Sequence, residues 1–163
     1  MPIMSTNEYH FVTEWKFDAP IELVFNIIEK GEDFPRWWPE VYLSSRAEKK
    51  GRPDRVGDKL YLHTRGWLPY TLSWTAEVVE IAPPSRLEFK AIGDFIGRGL
   101  WNLTQSGATT HVRFDWHILA EKPLLRHLSF IAKPIFSWNH EWAMAKGYER
   151  FIQELARRAT VEA

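Results

Sequence analysis

Tyr9, Phe11, Trp15 and Phe17 fall on one side of a two-residue period, with His10, Glu14 and Lys16 on the other. That alternation predicts a strand with one buried face over Tyr9 to Phe17. Asp18-Ala19-Pro20 then reads as a helix start, with Asp18 as cap and Pro20 as an early helical position. Leu23, Val24, Ile27 and Ile28 recur at helical spacing, and Gly31 closes the segment. Phe34-Pro35-Arg36-Trp37-Trp38-Pro39 is bracketed by prolines, which forbid a long helix and predict a tight, aromatic-rich connection.

From Val41 onward the pattern becomes a succession of strands: Val41 to Lys49, Lys59 to Thr64, Tyr70 to Ile81, Arg86 to Ile92, Phe95 to Thr104 and Thr110 to Leu119. In the last of these, Val112, Phe114, Trp116 and Ile118 face one way while His111, Arg113, Asp115 and His117 face the other. Short spacings leave no room for crossover helices, so the strands pair antiparallel. The tail is helical. Pro123 opens it, Pro134 is expected to interrupt or kink it, and Ile135 to Arg158 contains no further proline. His140, Met144, Gly147, Tyr148, Phe151 and Leu155 share a face meant for the sheet, and Asn139 and Glu141 flank that face.

Composition narrows the function classes. The 163 residues fit one domain, 1–163 with a core of about 9–158, and no internal repeat or linker divides them. Lys plus Arg equals Asp plus Glu at 21 each, so no net field draws the chain to nucleic acid or to an anionic membrane. No run of apolar residues approaches the roughly 20 that a spanning helix needs. The absence of Cys removes thiol nucleophiles and thiolate metal sites, and with no secretion signal at the start the expected location is cytoplasmic. Nine Trp, ten Phe and five Tyr suit a domain that must both fill a core and line a cavity.

Several local stretches carry a family likeness: Asp18-Ala19-Pro20 with Val24-Phe25, Trp37-Trp38-Pro39, Gly97-Arg98-Gly99-Leu100-Trp101, Phe114-Asp115-Trp116, and Ser137 to Met144 in the tail helix. With the element order, they make the chain resemble the SRPBCC or START-like superfamily, which includes birch-pollen-allergen-like proteins, and within it the bacterial polyketide cyclase/dehydrase branch. The resemblance implies an α+β helix-grip fold, a seven-stranded curved antiparallel sheet around a long C-terminal helix, with two short helices between strands 1 and 2. It further implies a cavity for lipids, steroids, polyketides or other aromatics, and it supplies no invariant catalytic signature.

On that fold Trp37, Trp38, Trp67, Tyr70, Trp74, Trp101, Trp116 and Met144 are the candidate ligand-binding residues. Their rings would stack on a flat guest and their N–H groups would orient its polar atoms. His140 is the candidate catalytic residue, a buried neutral imidazole able to move a proton, against the alternative of a hydrogen-bonded core histidine. His140-Glu141-Trp142-Ala143-Met144 begins like a zinc-protease helix but lacks the second imidazole. His111, Asp115 and His117 lie opposite the apolar set, which favours a solvated face over a metal site. Gly93, Gly97 and Gly99 sit within strands, where bulges or close backbone approach explain them better than a phosphate loop. Leu124, Leu125, Leu128, Phe130 and Ile131 suit a helix covering one cavity entrance, or an amphipathic lip that touches membranes.

The expected function is therefore binding, transport or sensing of a hydrophobic or aromatic small molecule, without a cofactor, a metal, a nucleic-acid partner or stable membrane insertion. A cyclase/dehydratase-type enzyme using His140 is the first alternative, and a chaperone-associated protein-interaction module the second. Antiparallel edges leave homodimer formation open.

Overall fold

The structure, a computed structural model, describes residues 8–120 and 123–161, the side chains of 120–133 excepted. Seven strands form one antiparallel sheet in the order β1-β7-β6-β5-β4-β3-β2. They are β1 Glu8–Phe17, β2 Tyr42–Glu48, β3 Lys59–Arg65, β4 Thr71–Ala82, β5 Arg86–Gly93, β6 Phe95–Ser106 and β7 Thr109–Ala120. Two short helices, α1 Ile21–Glu29 and α2 Phe34–Trp37, bracket a single 3-10 turn at Gly31–Asp33 between β1 and β2, and α3 runs over Pro123–Val161. This is the helix-grip α+β architecture. No helix among the described residues is long and apolar enough to cross a membrane.

The alternation along each strand sets which face meets α3. Tyr9, Trp15 and Phe17 of β1 are buried, as are Leu87, Phe89 and Ala91 of β5 and Val112, Phe114, Trp116 and Ile118 of β7. Register brings them together: Trp15 lies opposite Val112 and Trp101 opposite Phe114. Glycines in β6 answer to close approach. A Cβ on Gly97 would stand 1.9 Å from the His117 carbonyl oxygen, and one on Gly99 2.3 Å from the Phe89 ring.

Two local expectations are corrected. Pro20, not Asp18, occupies the cap position of α1, and no side chain of its own segment caps it. The Ile21 N–H donates instead to Gln105 Oε1 at 2.7 Å, from the end of β6, while the Asp18 carboxylate accepts from the Thr109 hydroxyl at 3.1 Å. Pro134 lies inside α3 without dividing it. Its missing N–H removes a single rung, and the long helix on either side supplies the rest.

The C-terminal half of α3 is packed solid. Phe151, fully buried, lies 4.3 Å from Phe17, 5.3 Å from Trp37 and 6.0 Å from Trp15, centroid to centroid. Gly147 lets the Trp38 indole lie against the helix, since a Cβ there would be 2.4 Å from that ring. Glu154, only 3% exposed, accepts from Arg36 at 2.9 Å, Arg157 at 2.7 Å and Arg158 at 3.2 Å, and so ties α2 to the helix. Burial pushes its carboxyl up, and the three guanidiniums more than offset that, holding it well below the usual carboxylate range.

Two outcomes are expected. Gly147→Ala gains about 1 kcal/mol of helix propensity but overpacks a ring with no room to move, so urea unfolding should show a net loss of about 1 kcal/mol or more. Because the folded-state pKa of Glu154 is depressed, its stabilisation is present above the ordinary Glu value and is lost as pH falls below about 4.5. Glu154→Gln should flatten that part of the acid-unfolding profile and cost about 2 kcal/mol at neutral pH, discounted for the partly exposed guanidiniums.

Candidate functional site

Around His140 a cavity of about 230 Å³ lies between α3 and the sheet. The sheet side of its wall is a run of rings in van der Waals sequence. Trp74 and Trp116 are 5.4 Å apart, Phe89 lies 5.7 Å from Trp116, and Trp101 stacks on Phe114 at 4.1 Å. Strand alternation makes this arrangement, because every second residue of β4, β5, β6 and β7 must point at the helix. The helix side is Phe136, Asn139, His140, Ala143 and Met144, and β1 contributes Tyr9 and Phe11.

Near His140 the polar groups of the wall are neutral apart from Arg65, and the other charged lining residues, Glu29, Glu32, Lys49, Arg55, Asp58 and Lys59, stand toward α1 and the β2–β3 hairpin. His140 stacks on Phe11 with centroids 4.2 Å apart and rings 16° from parallel, and its Nε2 has no hydrogen-bond partner. Burial lowers its pKa to about 4, so at neutral pH it is an uncharged imidazole. Tyr9 and Tyr70 flank Phe136 at 5.9 and 6.4 Å, and burial pushes both phenols up to about 12. Thr64 is satisfied: its hydroxyl accepts the Trp74 indole N–H at 3.1 Å and donates to the Leu72 carbonyl at 3.4 Å. That bond removes the Trp74 N–H from the groups that could greet a guest.

The structure brings Trp38, Tyr70, Trp74, Trp101, Trp116, Met144 and His140 onto one cavity. It places two other candidates elsewhere. Trp37 stacks on Trp38 at 5.5 Å and is buried against Phe34 and Phe151, within the solid packing. Trp67 is 59% exposed beyond the end of β3 and meets Trp138 edge-on at 4.9 Å on the outside. Trp37 ends α2 and Trp38 follows it with a non-helical backbone, so the two indoles part, and strand alternation no longer governs a residue in the β3–β4 loop.

Sequence reasoning missed Asn139, Phe136 and Thr64. Asn139 Oδ1 accepts the backbone N–H of Trp67 at 2.6 Å and of Leu68 at 3.2 Å, pinning the β3–β4 loop to α3 beside His140. Nothing local signals a bond across 72 positions, whereas Phe136 stands four residues before His140 and extends the same stripe. On the opposite sheet face, His10 stacks on His117 at 3.7 Å and Arg113 holds Asp115 at 3.0 Å. Among the described residues no group of three His, Asp or Glu converges as for a metal ion. The apolar set at 124–131, read as a cover or lip, lies outside the described side chains.

A family model described as polyketide cyclase/dehydrase and lipid transport matches residues 9–160. No curated protein matches the sequence. Among solved structures, the chain resembles the Zhui aromatase/cyclase of Streptomyces sp. R1128 with a TM-score of 0.73 and 14% identity, covering 93% of this chain and 96% of that one. A protein of Thermus thermophilus gives 0.68 at 19% identity over 90% and 99% of the two chains. A START superfamily protein of Mycobacterium smegmatis gives 0.64 at 16% identity over 88% and 97%. Identities this low establish a shared fold and nothing finer.

The state of His140 has a direct readout. Its ring proton resonances should titrate with a midpoint near 4, well below the ordinary histidine value. A depressed folded-state pKa means the unfolded chain takes up the proton first, so this site should cost stability progressively as pH falls from about 6.5 toward 4. A midpoint near 6.5 by NMR would show an imidazole in water.

Proposed function

Because the chain belongs to the polyketide cyclase/dehydrase and lipid-transport family, we propose that it binds a compact, flat, largely apolar molecule non-covalently in the cavity under α3. The observation that carries this reading is a ring-lined volume on whose wall two polar groups, His140 Nε2 and Trp38 Nε1, have no hydrogen-bond partner. Apolar walls favour an uncharged guest, since a bare ion there would lose its hydration without compensation. At about 230 Å³ the space falls below the roughly 300 Å³ at which drug-sized pockets begin, which favours a small ring system over a long chain. His140 then favours a guest carrying one hydrogen-bonding group.

Catalysis is the second reading, favoured by the orphan His140 Nε2 on the cavity wall. A general base works best with a pKa near the operating pH, and a His140 pKa of about 4 supplies little driving force to take a proton at neutrality. That weighs toward binding. The internal ring-lined volume in turn favours both small-molecule readings over a protein-interaction module, which has no use for it.

A matched pair of guests tests the proposal. 2-Naphthol should quench tryptophan emission and bind more tightly than naphthalene by about 1 kcal/mol, roughly fivefold, the worth of one hydrogen bond. His140→Leu should abolish that difference while keeping naphthalene affinity. If neither compound changes emission or raises the melting temperature, the cavity does not serve as a binding site. Turnover of a polyketide-like substrate lost in His140→Leu would favour the second reading.

A further inference from the structure

β3 lines the cavity along its whole length, so its termini mark two ends of the space. Seven residues of strand span roughly 20 Å. Around Arg65 and Gly66 the end is the one described above, fastened by the Asn139 bonds to the β3–β4 loop. Around Lys59 and Leu60 the wall changes character. There Glu29 and Glu32, from α1 and the 3-10 turn, face Lys49, Arg55, Asp58 and Lys59 of the β2–β3 hairpin.

Among the described residues few bonds cross that seam. The Ser45 hydroxyl donates to the Gly31 carbonyl at 2.8 Å, and Gly31 presses on the Leu60 side chain. The remaining tie is ionic: Arg55 Nη1 donates to Glu29 Oε2 at 2.6 Å, with Asp58 3.9 Å from the same guanidinium. Arg55 is also the one non-glycine residue among those described with its backbone in the left-handed region, at φ 60°. Side chains rarely adopt that conformation, and it persists only where the surroundings impose it. Here the turn is imposed by bonds from Gly57 to Val78 and from Val78 to Asp58, which seat it on β4 and aim the guanidinium at α1.

We propose that the Arg55–Glu29 ion pair is the clasp of a mouth of the cavity, holding the β2–β3 hairpin against α1 at the end away from His140. The proposal rests on the cavity being the site of a guest, which passes through this seam when the clasp opens. An ion pair suits that duty because its partners are 40% and 18% exposed, so water and salt can replace each of them as it parts. Asn139, by contrast, fastens the other end with two backbone bonds, one at 2.6 Å and one at 3.2 Å.

Stopped-flow fluorescence with 1-aminoanthracene, an uncharged flat fluorophore, tests the clasp. Glu29→Gln removes the charge with the shape kept, and Arg55→Gly removes the guanidinium while relieving the backbone. Each should raise the association and dissociation rates together by about two- to fivefold, the range that loss of a half-exposed ion pair allows. Added salt should speed the parent protein and leave the variants unchanged. Loss of a mere wall contact would raise dissociation alone, and that result, or unchanged rates in both variants, overturns the clasp. If the parent protein fails to bind the fluorophore, the guest-site reading falls by itself. Hydrogen exchange then decides the clasp: faster exchange at residues 30–33 and 52–58 in Glu29→Gln supports it, and unchanged exchange there overturns it.

Discussion

Phe151 sits among Phe17, Trp15 and Trp37, Trp38 lies on the backbone of α3 at Gly147, and Glu154 draws Arg36 of α2 to the same two turns. Arg150 adds an ion pair to Glu40 just beyond α2. These contacts fasten one half of a long helix to the sheet and to α2. Around Met144 and His140 the same helix instead borders the cavity. The hollow is therefore filled with side chains below Phe151 and left open below His140. Every functional statement about this protein depends on that unequal filling.

The chemistry of the open half follows from what the clamp leaves there. Burial strips water from His140, keeps its imidazole neutral, and keeps the Tyr9 and Tyr70 phenols protonated. A wall with no lasting charge at its centre does not hold an ion. The charged residues stand instead at the seam between α1 and the β2–β3 hairpin, where solvent reaches them. The space is thus apolar in the middle, hydrogen-bonding at one end and ionic at the other.

Much of this was readable from residues alone, because periodicity is a local property. The two-residue alternation of Val112 to Ile118 and of Leu87 to Ala91 fixed which faces meet the helix, and the stripe Met144, Gly147, Phe151 fixed the helix face that answers them. What escaped were contacts between distant positions. Gln105 caps α1 across 84 positions, Asn139 holds the β3–β4 loop across 72, and Glu154 finds Arg36 across 118. Glu154 is the sharpest instance, a carboxylate on the buried stripe that only its three guanidiniums make tolerable. Neighbouring indoles were equally opaque: Trp37 and Trp38 are alike in sequence, and the single turn of α2 sends one into the solid packing and the other to the cavity edge.

The claim that an unfilled apolar chamber accepts a guest is tested most directly by NMR of the protein with toluene, observing intermolecular contacts to assigned side chains. Contacts from the guest to the Met144 methyl group and the Trp116 indole, with none to Trp67 or Trp138 on the outer surface, are the expected result. Contacts confined to the Trp67–Trp138 pair, or none to any interior ring, would show the chamber closed to guests and contradict the account.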